Sequence, residues 1–468
     1  MTEIAATKRL PLRSFLGYGA GDMANNLTFS LVITFLTVYY TDVALISPAV
    51  VGAIFLLMRL VDAFTDLLAG ALVDRTNTRF GKFRPYILIF SVPLVITTVL
   101  AVSIPQSLHG TWGAVVWAAV TYFLLGSVFF TLVNIPYGSL AAAMTQRTDE
   151  RAKLATFRTA GAAIMQVTVA LVISPSIAKH EGDPAALQQA LVQNVMVLGV
   201  ITIGMYLFLV LTACEQVERD IPKVRLGQAL STLTQNRALA ILALSSVAYL
   251  VGLFAIAGLT IYYVRDVLGN AGWAPVALAL TFGPILLVGW FIPKLIATIG
   301  KKNLYGLAAL LGAAGGVVLF VAPGGSYLLA FIGFLLLGTS SGLCNTLMWN
   351  LEADTIDFGE LKTGIRTEGS TYAVFSFTRK LGQAIGGAAG VWIIGWFGYQ
   401  GDAAVQSAGA IQGIRVAIGL FPLVTFSLSA LLMRKFPMTE RSHAAVVQTI
   451  ADRRATGTRA AGSTMPPA

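Results

Sequence analysis

Arg59, Asp62 and Asp66 stand together in the otherwise apolar run from Val51 to Val73. Spacings of three and four residues put all three side chains on one face of a helix. Two carboxylates that close in a low-dielectric setting do not both ionise cheaply unless a proton or a cation lies between them. Ionisable groups at such depth face a protein interior or a watery cavity and mark an ion or solute path. The chemistry this spacing suits is reversible cation binding. The competing reading is a buried Arg59–Asp62 salt bridge that only braces helix packing, which accounts for one carboxylate and leaves Asp66 over.

A second polar face belongs to Asp22, with Asn25 and Asn26 about one turn further along a stretch otherwise filled by Leu, Phe, Val and Tyr. A carboxylate accepts hydrogen bonds from two hydroxyls of one sugar while aromatic rings cover the apolar face of the ring. The plainer reading is a polar residue at a helix entrance. Arg158 and Lys380 fall at the starts of the fifth and eleventh apolar stretches. There they either snorkel to the interface or face a cavity and hold an anionic group, Arg158 being suited to a bidentate carboxylate contact. Gly382, Gly386, Gly387 and Gly390 form a small-residue stripe that lets another helix approach closely. Glu352, Asp354, Asp357 and Glu360 form an acidic stretch, expected either to pair with the basic loops after the second and fourth spans, closing that side, or to be solvated.

The elements that must position these groups are membrane-spanning helices. Of 468 residues 56% are hydrophobic and only 12% charged, about half the charge of ordinary soluble chains. Apolar stretches of about 20 residues recur near 16–41, 48–72, 85–104, 113–143, 155–176, 193–213, 238–263, 274–298, 304–322, 327–350, 370–397 and 412–434. The N-terminus runs from Lys8, Arg9 and Arg13 straight into the first of them with no processing motif, so that span is expected to be retained. Of the 32 Lys and Arg, all but Arg59, Lys179, Arg265 and Arg415 fall on one side of this twelve-span layout. The positive-inside rule makes that side cytoplasmic and places both termini there. Topology thus accounts for the net charge of +10 without nucleic acid, which wants one basic face with interleaved aromatics. Cys214 and Cys344 are isolated, one per half, and His109, His180 and His443 are scattered, so neither a disulfide framework nor a histidine metal site is expected.

The chain also repeats. Gly70-x3-Asp74-Arg75-x5-Gly81-Lys82 after the second span recurs as Gly289-x3-Pro293-Lys294-x5-Gly300-Lys301 after the eighth. Two six-helix halves follow, a layout that places a transported solute near the midplane. The expected division is a first half over 1–214, a polar linker over 215–237, a second half over 238–440 and a disordered basic tail over 441–468.

Arg59-Leu60-Val61-Asp62-Ala63-Phe64-Thr65-Asp66, followed by Gly70, Asp74-Arg75-Thr76 and Gly81-Lys82-Phe83-Arg84-Pro85, resembles the signature of the glycoside–pentoside–hexuronide:cation symporters, a branch of the major facilitator fold. The likeness spans nearly the whole chain. Asn134-Ile135-Pro136-Tyr137-Gly138-Ser139-Leu140, Leu351-Glu352-Ala353-Asp354-Thr355 and Phe375 to Gly387 look most like the glucuronide carriers of that family. By resemblance to its melibiose permeases, Asp62, Asp66 and Thr131 would form the cation site, with both aspartates as metal ligands if the ion is sodium. Asp22, Arg158 and Lys380 would line the sugar site. Those permeases carry an acid and a tryptophan where this chain has Asn134 and Gly138; a neutral amide there removes a repulsion and suits an anionic hexuronide held by Arg158 or Lys380. Asn25 and Asn134 join the expected substrate contacts, and Arg59, Asp74, Arg75, Asp354 and Asp357 the structural or gating set.

The resulting expectation is an all-α, twelve-helix inner-membrane symporter, monomeric in the bilayer, that moves a glucuronide or related glycoside with a proton or sodium ion and needs no cofactor. Other glycosides such as xylosides or galactosides, a lysolipid or other amphiphile, and a non-transporting sugar sensor are the alternatives. An enzyme would need a nucleophile with its base or a metal set, and the sequence supplies neither.

Overall fold

The computed structural model describes residues 9–216, except 77, 146 and 181, and 236–456, except 365–367 and 404. Most of the expected linker and the last part of the expected tail lie outside these residues. Among the described residues, nine helices are long and apolar enough to cross a membrane. Three further helical runs, residues 12–43, Pro48–Asp74 and Glu368–Trp396, bring the long helices to the twelve expected and carry Asp22, the Arg59–Asp62–Asp66 group and Lys380. In chain order the twelve are α1 (residues 12–43), α2 (Pro48–Asp74), α3 (Arg84–Ala101), α4 (residues 112–144), α5 (Thr148–Lys179), α6 (Pro184–Thr212), α7 (Arg237–Val267), α8 (Ala271–Ile299), α9 (Lys301–Val321), α10 (Tyr327–Thr363), α11 (Glu368–Trp396) and α12 (Ala408–Arg434). A thirteenth, α13, spans Glu440–Thr456.

The helices are not uniform. Among the described residues five stretches widen to π geometry: Leu31–Phe35 and Tyr39–Val43 in α1, Leu124–Phe130 in α4, Tyr263–Val267 in α7 and Val416–Leu420 in α12. Such turns insert one extra residue and cluster at functional positions. The surface is apolar as a bilayer requires: Val197, Val200 and Leu211 of α6 and Leu68 and Leu72 of α2 are exposed, while polar residues such as Asp22, Asp62 and Thr131 are buried.

The chain forms two compact bodies, one of Met1–Ile221, Ala257–Ala279 and Gly390–Ile414, the other of Pro222–Ile256, Leu280–Ala389 and Arg415–Ala468. In the first, α1 and α5 cross where neither can carry a side chain: a Cβ on Gly161 would lie 2.4 Å from the Gly19 carbonyl oxygen. That crossing sets Asp22 and Arg158, each three residues away, against one another. In the second, Gly382 and Gly386 of α11 pack against the α7 backbone at Val247 and Val251, whereas Gly387 faces open space, so part of the glycine stripe is packing.

The repeated turn has one architecture in both copies. Gly81 adopts φ +98° and Gly300 φ +81°, a region that favours glycine. Glu215, just past α6, accepts the backbone N–H groups of Lys82, Phe83 and Arg84 at 2.7, 3.1 and 3.2 Å. Glu440 accepts the Lys301 N–H at 2.9 Å at the start of α9. Each carboxylate satisfies orphan donors at a helix N-terminus and meets the positive end of its dipole. A Cβ at Gly81 would sit 2.5 Å from the Glu215 carboxylate. Gly81→Ala is therefore expected to cost about 1–3 kcal/mol through strain at this backbone, seen as a lower melting midpoint of the purified protein; an unchanged midpoint would refute the role given to the turn.

The expected disorder beyond 441 is corrected over its first part. Residues 440–456 are helical, and Val446 and Ile450 are buried against Leu361 of α10. Two apolar residues four apart gave this helix a face to bury, which the Ala-, Arg- and Thr-rich composition obscures.

Candidate functional site

In the first body, α2 and α4 run side by side and pair in register. Asp62 accepts a short hydrogen bond from Ser127, and Asp66 accepts one from Thr131 at 2.9 Å. Both carboxylates and both hydroxyls are four apart, so two rungs of one ladder face each other. The π turn Leu124–Phe130 lies at this point of α4, and the Thr131 hydroxyl also reaches the Gly126 carbonyl oxygen at 3.2 Å. Arg59 lies 3.7 Å from Asp62 and 5.8 Å from the centre of the Phe29 ring. The brace and the ladder thus coexist: Arg59 offsets part of the charge on Asp62, while Asp66 is tied to α4 through Thr131. Two carboxylates, two hydroxyls and a carbonyl are hard oxygen donors of the kind that bind small cations or share a proton. The sequence reading missed Ser127; its only signal is a hydroxyl one turn before Thr131, and serines in apolar helices ordinarily bond their own backbone.

The second cluster joins α1, α4, α5 and α6. Arg158 donates from Nε to Asp22 Oδ1 at 3.2 Å and lies over the Tyr137 ring at 5.6 Å. Asn26 donates to Asp22 Oδ2 at 3.1 Å and accepts from Gln166 at 3.2 Å. Asn25 turns elsewhere: buried, it accepts from Tyr206 at 2.8 Å, so of the two amides it is Asn26 that shares the Asp22 site. Asn134 is half-buried on the α4 face it shares with Thr131 and Gly138, and beside Gly138 there is open space. Arg158 is ten residues into α5 and Lys380 twelve residues into α11, about 15 and 18 Å from the helix starts at 1.5 Å per residue. Both thus stand beyond the first turns of their helices, and in α5 the apolar span begins at Lys153, five residues before Arg158.

A third constellation in the first body was not anticipated. At the end of α1 remote from the basic loops, Arg265 of α7 donates to Asp42 at 2.6 Å, to Asp266 at 2.8 and 3.0 Å and to the Tyr399 hydroxyl at 2.6 Å. Tyr399 donates to Asp42 at 2.9 Å, Thr41 donates to Asp42 at 2.6 Å, and the hydroxyls of Thr41 and Tyr262 are 2.7 Å apart. Asp42, Arg265 and Asp266 all lie on π turns. A signal was present: Leu36-Thr37-Val38-Tyr39-Tyr40-Thr41-Asp42-Val43 is echoed by Leu259-Thr260-Ile261-Tyr262-Tyr263-Val264-Arg265-Asp266-Val267, one residue longer, and the added position falls at Arg265 beside the acid.

In the second body, Asp354 meets Lys301 of α9 at 2.6 and 2.8 Å, and His443 of α13 lies 3.0 Å from Asp357 and 3.6 Å from Asp354. Asp354 thus pairs with Lys301, and His443 is not isolated as its sequence position suggests. Arg75 is exposed at the end of α2, and the Asp74 side chain lies outside those described.

Three comparisons bear on this arrangement. Residues 17–440 match the family model described as "MFS/sugar transport protein". The chain is 37% identical to the glucuronide carrier protein homolog of Escherichia coli K12, over 96% of this chain and 97% of that one. It is 33% identical to the isoprimeverose transporter of Lactiplantibacillus pentosus, over 91% and 88%. A crystal structure of a D-xylose–proton symporter superposes with a TM-score of 0.64 at 17% identity, covering 91% of this chain and 97% of that one, a likeness of fold. The helical fold and the near full-length matches make this chain a member of the major facilitator sugar-transport family, a membrane transporter and not an enzyme.

Proposed function

We propose that this transporter is a cation-coupled importer of acidic glycosides of the glucuronide class, set in a bacterial inner membrane with both termini cytoplasmic. The observation that carries the reading is the ladder Asp62–Ser127 and Asp66–Thr131: two carboxylates one turn apart on α2, each bonded to a hydroxyl of α4, where a proton or sodium ion would relieve their repulsion. The Asp22–Arg158 pair supplies, in adjacent positions, an acceptor for sugar hydroxyls and a guanidinium for an anionic group. The likeness to a glucuronide carrier homolog supports the substrate class. Coupling follows if the loaded ladder favours the substrate-bound state, and the protein acts as a monomer with no cofactor.

The test is counterflow of a labelled aryl glucuronide into proteoliposomes holding the purified chain, with and without sodium, across a pH series. Exchange stimulated by sodium or by protons is expected. Exchange of xylosides or lysolipids with none of glucuronides would overturn the substrate class.

A further inference from the structure

We infer that Gln166 of α5 is a positioning residue for the proposed solute site: acting through Asn26, it fixes the direction in which the Asp22 carboxylate is held and thereby the affinity for the sugar. This role rests on the proposed glycoside transport and adds to it a residue that acts without touching the solute.

Asp22 is held at both carboxylate oxygens from one helix, by two routes. Arg158 reaches Oδ1 directly, from Nε at 3.2 Å. Gln166 lies eight residues, or about 12 Å, further along α5 and reaches Oδ2 through a relay. Its Nε2 donates to Asn26 Oδ1 at 3.2 Å, and Asn26 Nδ2 donates to Asp22 Oδ2 at 3.1 Å and to the Asp22 carbonyl oxygen at 2.9 Å. Gly161, between Arg158 and Gln166, meets Gly19 where α5 crosses α1, so both side chains come within reach of one face of α1.

The relay has one sense. A carboxylate paired with a guanidinium only accepts, so Asn26 turns its NH2 toward Asp22 and its oxygen away, and whatever meets that oxygen must donate. Gln166 is such a donor. Both N–H groups of Asn26 are then spent on Asp22, and the plane of the carboxylate is set from either side. Each carboxylate oxygen has two lone pairs, so fixing that plane fixes where the remaining ones point.

An amide pair between membrane helices ordinarily serves as a staple. Two observations set this one apart. Close packing of α1 on α5 is already supplied by the Gly19–Gly161 backbone contact, and the amide pair ends on a carboxylate instead of closing on itself. Gln166 is also the midpoint of the apolar span Lys153–Lys179, the depth at which transporters of this layout hold their solute.

The test measures counterflow of a labelled aryl glucuronide in wild type, Q166M, Q166L and Q166E, each also in an N26A background. Q166M and Q166L, two apolar variants carried together against the failure of either to fold, lose the donor. They are expected to raise the half-saturating concentration about fivefold with the maximal exchange rate kept. Q166E is expected to raise it about 30-fold, because an acceptor at 166 draws the Asn26 N–H away and turns the amide oxygen onto Asp22. With N26A in place, none of the three should shift it by more than about twofold. A staple predicts the reverse order, since glutamate still bonds Asn26 whereas methionine and leucine do not. Q166E binding as well as or better than Q166M and Q166L overturns the assignment, as does wild-type affinity or a loss of rate alone in those two; the transport reading then stands. An equal loss from Q166E with and without Asn26 marks the added charge as the cause and also overturns it. A wild-type protein that exchanges no glucuronide removes the functional reading first, and this assignment with it.

Discussion

Asp62→Asn is expected to abolish concentrative uptake while leaving exchange across a balanced gradient close to wild type. Asp62 is buried, bonded to Ser127, and 3.7 Å from Arg59. An amide there keeps the shape and the Ser127 contact but cannot take up a proton or neutralise a metal ion. One charge moved through 100 mV is worth about 2.3 kcal/mol, or roughly a 50-fold concentration ratio. Wild type should approach that ratio with energised vesicles, and the variant should stay near unity. Counterflow needs no net ion movement, so it reports whether the variant still folds and binds. Accumulation by Asp62→Asn at the wild-type ratio would take the ladder out of coupling. Asp66→Asn should behave alike, since Thr131 ties that carboxylate to the same stretch of α4.

Arg265→Ala is the second large effect. Arg265 is the common partner of Asp42, Asp266 and the Tyr399 hydroxyl. Truncating it leaves the buried Asp42 and the partly buried Asp266 without their shared cation, and removal of one side of a buried charge cluster costs about 3–5 kcal/mol. The expected result is opening at this end of the bundle. In a background with Cys214 and Cys344 replaced, a cysteine at buried Ala44 should react with an impermeant maleimide about ten times faster or more when Arg265 is gone. The charge argument makes a sharper demand: combining Asp42→Asn and Asp266→Asn with Arg265→Gln, which removes every charge, should restore much of the lost protection. If the triple variant labels as fast as Arg265→Ala, packing and not charge holds this end closed.

The sequence shows its apolar periodicity, its one-sided basic loops and its duplicated glycine turn because each of these is local or recurs at fixed spacing. The aspartates of α2 are equally visible, since a charge in an apolar run contrasts with everything around it. Partners across helices are not. Ser127 and Thr131 are 65 residues from the carboxylates they meet, and a hydroxyl inside a hydrophobic helix has no such contrast. The π turns shift the facing residues by one position relative to a 3.6-residue wheel, which hides the face that Asp42 and Arg265 share. His443 finds its two carboxylates only because α13 folds back on α10. Asn25 and Asn26 differ by about 100° of rotation, and composition alone does not tell that Asn26 bonds Asp22 while Asn25 bonds Tyr206.

The near-copy that ends α1 and α7 has a consequence for how this transporter opens. A faithful duplicate of the Tyr-Tyr-x-Asp-Val run would bring acid to acid, a joint that pushes itself apart. The one added residue, Arg265, reverses the sign, and a single guanidinium serves both carboxylates. Because Asp266 is the neighbour of Arg265 on α7, the link from this pair to α1 runs through Arg265–Asp42 and the Tyr399 hydroxyl that bonds both. The inserted guanidinium gives the second copy of the run a charge that the first copy lacks, so a near-repeat in sequence becomes a complementary pair in space.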